Sequence, residues 1–322
     1  MDQGLLNRAQ RIIAVNLALQ PQESLLVVAD DITREIGKLF YDAAEAMGRD
    51  VQLIIMREGK VAGEEPPAVV AAAMAAADVA LCPTSKSITH TQARINAAAQ
   101  GTRVVTMPGV TMDMLREGAS CADYAQVEAR TARVTAMLSE ASTARILKDG
   151  HQMVLSLAGR PGVSSPGVYR TPGASGNFPS GEAYIAPVED GANGTMVVDG
   201  SMVGIGALAP GCPLTLTVEN GRLTSIEGGD NLGPYVDRLQ VLFAKPENGT
   251  IAELGIGTNE RARLSGIILE DEKLYGTVHL AFGTNASFGG VTHADCHYDG
   301  IILKPTLYLD DKLVIKDGEF VA

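Results

Sequence analysis

Three of the chain's five histidines lie between Gly276 and Gly300, in Gly276-Thr-Val-His279-Leu-Ala-Phe-Gly283 and His293-Ala-Asp295-Cys-His297-Tyr-Asp299-Gly300. Imidazole beside carboxylate suits zinc, cobalt, manganese or iron(II). His297 and Asp299 stand two apart, directly before the apolar run Ile301-Ile-Leu. Residues two apart on a strand face the same side, so this pair can reach one cation or two adjacent ones. His293 and Asp295 repeat the spacing, but a strand rises about 3.3 Å per residue, so all four cannot share one ion. The earlier pair follows Gly289-Gly290 and reads as a loop or as support around a site. His279 belongs to a strand of its own, with Tyr275, Thr277 and Ala281 on the same face. Cys296, between Asp295 and His297, faces away on a strand.

Further donors come from acids flanked by glycine. Glu182 is the lone acid of Asn177-Phe-Pro-Ser-Gly-Glu182-Ala-Tyr-Ile-Ala-Pro187, and Glu253 that of Ile251-Ala-Glu253-Leu-Gly-Ile-Gly-Thr-Asn259. A carboxylate in apolar surroundings is costly to desolvate unless it is paired, and a cation is an economical partner. Asp271 and Glu272 sit in the charged turn Leu-Glu-Asp-Glu-Lys, where Glu272 reads equally as a solvated loop residue or a metal ligand. His90 and His151 have no acidic neighbours and read as surface or satisfied core histidines.

The elements that position these residues form two textures. In the first half, helical periodicity (5–19, 33–47, an Ala-rich run after Pro67, and 89–99) alternates with buried strands (23–30, 50–56, 78–82 and 103–107). That βαβ rhythm implies a parallel sheet covered by helices, closed by a long helix from Tyr124 to about Ala141. Beyond about Ala144 glycines multiply and short alternating runs take over. A hairpin turns at Asn220-Gly221, another at Asp310-Asp311, and a helix is expected near Tyr235 to Phe243. The expected organisation is an α/β Rossmann-like domain over 1–144, followed by a mostly β (α+β) metal-binding catalytic domain over 145–322.

Other chemistries find little support. The strand ending at Ala29 runs into Asp30-Asp31-Ile-Thr-Arg, with no glycine to admit a pyrophosphate, and neither a Walker motif nor GxGxxG follows any strand. There is no Gly-x-Ser-x-Gly elbow for a serine hydrolase. A formal charge of -12 argues against nucleic acid and anionic membrane as partners. Tryptophan is absent and aromatics are few, so stacking on bases or sugars is not the expected mode of recognition. The amino terminus shows no signal-peptide pattern, and no apolar stretch is long enough to span a bilayer. Cys82, Cys121, Cys212 and Cys296 are scattered, which reads as free thiols in a cytoplasmic protein.

Four motifs in order, Asn177-Phe-Pro-Ser-Gly-Glu182, Glu253-Leu-Gly-Ile-Gly-Thr-Asn259, Gly276-Thr-Val-His279-Leu-Ala-Phe-Gly283 and His297-x-Asp299, resemble the M29 metallo-aminopeptidases of the aminopeptidase T and S type, in a shorter form. The resemblance covers about residue 175 to the end. It implies a homodimer and two divalent ions (zinc, cobalt or manganese) held by Glu182, Glu253, His279, His297 and Asp299. The implied reaction is removal of amino-terminal residues from small peptides or amides. Glu253 or Glu182 serves there as ligand or general base. A further family acid would fall at Leu274, with Glu272 the nearest candidate, and a family tyrosine is replaced within Asn285-Ala-Ser-Phe288. Two alternatives accompany this expectation. One is a non-haem iron(II) ring-cleaving dioxygenase of the related dihydroxypyridine type, with one ion on two histidines and a carboxylate. In that branch a histidine stands where this chain has Glu253, so retention of Glu182, Glu253 and His279 favours the hydrolase. The other is a degenerate metal-binding protein.

Overall fold

The computed structural model describes residues 2–229 and 232–321. Contacts divide the chain into two units, Met1–Glu128 with Gly167–Ser180, and Ala129–Pro166 with Gly181–Ala322. The division falls within the helix Tyr124–Glu140 rather than at the 144 expected from texture. The reason is packing: Val134 and Leu138, in the later turns of that helix, are core residues of the second unit.

The first unit holds five parallel strands. Ser24–Asp30 lies between Asp50–Met56 and Val79–Cys82, followed outward by Arg103–Thr106 and Ser175–Asn177. Leu25 to Ala29 are buried throughout, as a continuous apolar run in a two-sided sheet requires. Leu26, Val28, Ala80, Cys82 and Val104 join Val70 and Met74 of the Ala-rich helix in one cluster. The Leu, Val and Met side chains among these each contribute about 1.5–3 kcal/mol of burial. Where a nucleotide fold would place glycine, Asp30 accepts hydrogen bonds from Ile32 N, Thr33 N and Ser85 N. An acid saturated by the loop it closes leaves nothing to receive a phosphate. The fifth strand, Ser175–Asn177, is three residues in a Gly-rich stretch that sequence texture assigns to the β half.

The second unit is two antiparallel sheets of eight and seven strands. The Asn220-Gly221 hairpin joins Leu214–Glu219 to Arg222–Gly228, both turn residues have positive φ, and a Cβ on Gly221 would lie 1.6 Å from Glu189 O. The second expected hairpin joins Thr306–Leu309 to Lys312–Lys316, and the expected helix is Gly233–Phe243. Leu155, Met196 and Leu216 from the larger sheet meet Leu254, Leu280 and Ile302 from the smaller in one core. Among the described residues no helix is long and apolar enough to cross a membrane. The result is an α/β unit with a parallel sheet and a mostly antiparallel β unit, as the sequence implies.

Candidate metal centre

Four adjacent strands of the seven-stranded sheet carry the site, in the order His297–Ile302, Val278–Gly283, Ile251–Gly257, Glu182–Ile185. Their register puts Glu253 opposite Ala281 and Ala281 opposite Asp299. Gly255 pairs with His279, Gly283 with His297, and Gly257 with Glu182. Paired residues share a face and alternate residues return to it, so Glu182, Glu253, His279, His297 and Asp299 all project from one side. On the other side Leu254, Ile256, Val278, Leu280 and Phe282 enter the core. The alternation Val-His-Leu-Ala-Phe-Gly over 278–283 is therefore core and site by turns. Small residues floor the site. A Cβ on Gly255 would lie 1.9 Å from His279 Nε2, so the imidazole occupies the space a side chain there would fill.

Two groups of donors could each hold an ion: Glu253, His297 and Asp299, and Glu182, Glu272 and His279. Within each group the donor atoms lie within 4.8 Å of one another. His297 Nε2 is 3.2 Å from Glu253 Oε2 and 3.5 Å from Asp299 Oδ1. Its Nδ1 lies 2.9 Å from the Thr284 carbonyl, which can only accept, so Nδ1 carries the hydrogen and Nε2 is presented to the acids. His279 Nε2 lies 3.3 Å from Glu253 Oε1 and 3.6 Å from Glu182 Oε2. Burial opposes ionisation of Glu253, but hydrogen bonds from His279 and His297 outweigh it and hold the carboxyl well below the usual range. Burial likewise opposes charge on His279, while Glu253 and Glu182 overcome it and raise its pKa to about 9.

The sequence reading missed Lys273 and left Glu272 open. The Leu-Glu-Asp-Glu-Lys turn is no solvated loop: Glu270, Asp271 and Lys273 are fully buried and Glu272 nearly so. Lys273 Nζ donates to Glu182 Oε1 at 2.5 Å and to Glu272 Oε1. Burial, opposed by Lys273 and reinforced by the Glu182 and Asp299 charges, pushes Glu272 up to about 8. The turn is drawn in because Asn259 N bonds Lys273 O and Gly257 leaves room for the Leu274 carbonyl. His293 and Asp295 stay outside: both are exposed, and Asp295 pairs with Lys245. Cys296 precedes the strand that begins at His297 and belongs to neither donor group.

Four buried carboxylates, Glu182, Glu253, Glu272 and Asp299, face one buried ammonium. Glu182 Oε2 and His279 Nδ1 are buried without a hydrogen-bond partner. The clustered imidazole and carboxylate donors, within 4.8 Å of one another in each group, fit a divalent cation such as iron(II). Where the family tyrosine would fall, buried Asn285 organises the loop by accepting from Thr292 N and donating to Glu189. Phe288 of that loop meets His297 edge-on at 5.9 Å and Tyr184 at 5.3 Å.

Fold and site together define a protein of the M29 type of fold with a candidate metal centre. The model of the 2,5-dihydroxypyridine 5,6-dioxygenase (NicX) family matches residues 14–322, and the chain belongs to that family. The 2,5-dihydroxypyridine 5,6-dioxygenase of Pseudomonas putida KT2440 is 31% identical over 186 residues, a stretch spanning 54% of this chain and 53% of that protein, about half its length. The solved structure of 2,5-dihydroxypyridine dioxygenase from Pseudomonas putida KT2440 superposes with a TM-score of 0.82 at 21% identity, over 99% of this chain and 97% of that one. Wild-type AmpT from Thermus thermophilus follows at 0.70 and 16%, over 99% of both chains. At these identities both structures speak for the fold alone.

Family membership overturns the expectation of a metallo-aminopeptidase, and with it the hydrolase and protease assignment. The dioxygenase alternative is the reading the comparisons back. The error has a physical source. Retention of Glu182, Glu253 and His279 was weighed in favour of two hydrolytic metals, without the lysine that pairs with Glu182.

Proposed function

We propose that this chain is a non-haem iron(II) dioxygenase that opens a dihydroxylated pyridine-type ring. The observation that carries the reading is the family match across residues 14–322, which includes every donor of the buried centre. Glu253, His297 and Asp299 are the proposed iron ligands, with His279 orienting Glu253. The donor set is richer in carboxylate than a two-histidine, one-carboxylate triad, since Glu253 stands in place of an imidazole. Bound iron(II) would supply the one-electron chemistry that triplet dioxygen needs to react with a closed-shell ring.

The protein's own side chains would do the rest. A ring hydroxyl must lose its proton as it binds, and Glu182 Oε2, buried and without a hydrogen-bond partner, is the proposed acceptor. Phe288, half-buried beside His297, and Tyr184, half-buried against Phe288, offer flat apolar surface for the ring. In the overall change one carbon–carbon bond of the ring breaks and both atoms of dioxygen enter the product, so no external reductant is consumed. The resemblance supports a homodimer, which sedimentation would test. The direct assay loads the protein with iron(II) under nitrogen and then adds 2,5-dihydroxypyridine and oxygen. Oxygen uptake equal to substrate loss is expected. No uptake from a protein that has taken up its iron would refute the reading.

A further inference from the structure

We infer that Lys273 is a built-in cation standing in the second metal position, and that it fixes this centre at one divalent ion. The inference rests on the metal-centre reading above and concerns its stoichiometry. Lys273 is fully buried, and its Nζ bridges Glu182 Oε1 (2.5 Å) and Glu272 Oε1. Those are carboxylates of the donor group Glu182, Glu272 and His279. The ammonium occupies one oxygen of each acid and places a full positive charge among the donors of this group, so a divalent ion entering it would meet strong repulsion at close range. In the second group, Glu253, His297 and Asp299, His297 Nε2 faces both acids, and the His297 side chain is 18% exposed. One donor group is therefore closed by a cation the chain supplies and the other is open to an ion from solution. His279 Nε2 lies between them, 3.3 Å from Glu253 and 3.6 Å from Glu182.

The same fold can thus be set for one metal or two by a single side chain. An ammonium supplies charge to the acids but has no empty orbital with which to polarise a carbonyl or activate water, which a second metal does.

The test counts manganese(II), a divalent probe that is stable in air and visible by electron paramagnetic resonance. Wild-type protein dialysed against manganese(II) should retain about one ion per chain and give the spectrum of an isolated ion. Lys273→Met should retain about two, with exchange coupling between them, and adding Glu182→Gln should return the count to about one. Removing the ammonium leaves buried acids unbalanced, so Lys273→Met is also melted with and without manganese(II). Recovery of its melting temperature with metal is expected. Two coupled ions in the wild type would overturn the inference. So would a Lys273→Met protein that stays at about one ion or does not recover with metal. The count needs no oxygen chemistry, so an inactive protein with the expected stoichiometry would sink the dioxygenase reading while leaving this one standing.

Discussion

At the scale of the residue, the centre depends on imidazole and carboxylate meeting on one sheet face. His297 holds its hydrogen on Nδ1 against the Thr284 carbonyl and turns Nε2 toward Glu253 and Asp299. His297→Ala should therefore weaken iron(II) binding by no less than the roughly 100-fold that losing an outer partner of a ligand can cost. His293→Ala, an exposed loop change four positions earlier, should leave binding unaltered. Calorimetric titration of both variants with iron(II) under nitrogen checks the pair, and equal effects would remove His297 from the ligand set. His297 and Asp299 were legible because a two-residue spacing on a strand has one geometric meaning. Glu182 and Glu253 were legible because an isolated acid in an apolar run needs a partner. Lys273 was not: Leu-Glu-Asp-Glu-Lys has the composition of a solvated turn, and its burial comes from pairing with Asn259, which local pattern does not encode.

At the scale of the element, the loop after the first strand shows how an acid can close a turn without binding a ligand. Asp30 Oδ1 accepts from Ile32 N, Thr33 N and Thr33 Oγ1, while Oδ2 accepts from Ser85 N. Asn at this position would keep one acceptor and set its amide against an N–H, so Asp30→Asn should cost about 1–3 kcal/mol. Burial disfavours the charge on Asp30, but hydrogen bonds from Ser85 and Thr33 prevail and hold its pKa below the ordinary 3.8. A carboxyl depressed in the folded state contributes stability above its unfolded pKa and loses it as pH falls through the folded value. The gap between wild type and Asp30→Asn in denaturant melts should hence narrow from about pH 7 toward about pH 3. A constant gap would mean that the charge is not what matters. The long periodic elements of the α/β unit were readable, since burial on two faces writes continuous apolar strands. The strand Ser175–Asn177 was not, because three small residues carry no period, and it joins the sheet by pairing with Arg103–Thr106 across 71 positions.

At the scale of the whole molecule, the motifs were more legible than the reaction. The ordered motifs from Asn177 to Asp299 led to the fold and the site face, and they are compatible with hydrolysis by two ions or ring cleavage by one. Family membership over residues 14–322 backs the ring-cleaving branch, and the proposed role of Lys273 would give a physical reason for a single ion. The central claim is that oxygen from the gas, and not from water, enters the product. The most direct measurement is mass spectrometry of the ring-opened product formed by the iron(II)-loaded protein from 2,5-dihydroxypyridine under isotopically heavy dioxygen in ordinary water. Both labelled oxygen atoms should appear in the product at first turnover. A product that carries no label, its new oxygen drawn from water, would contradict the account.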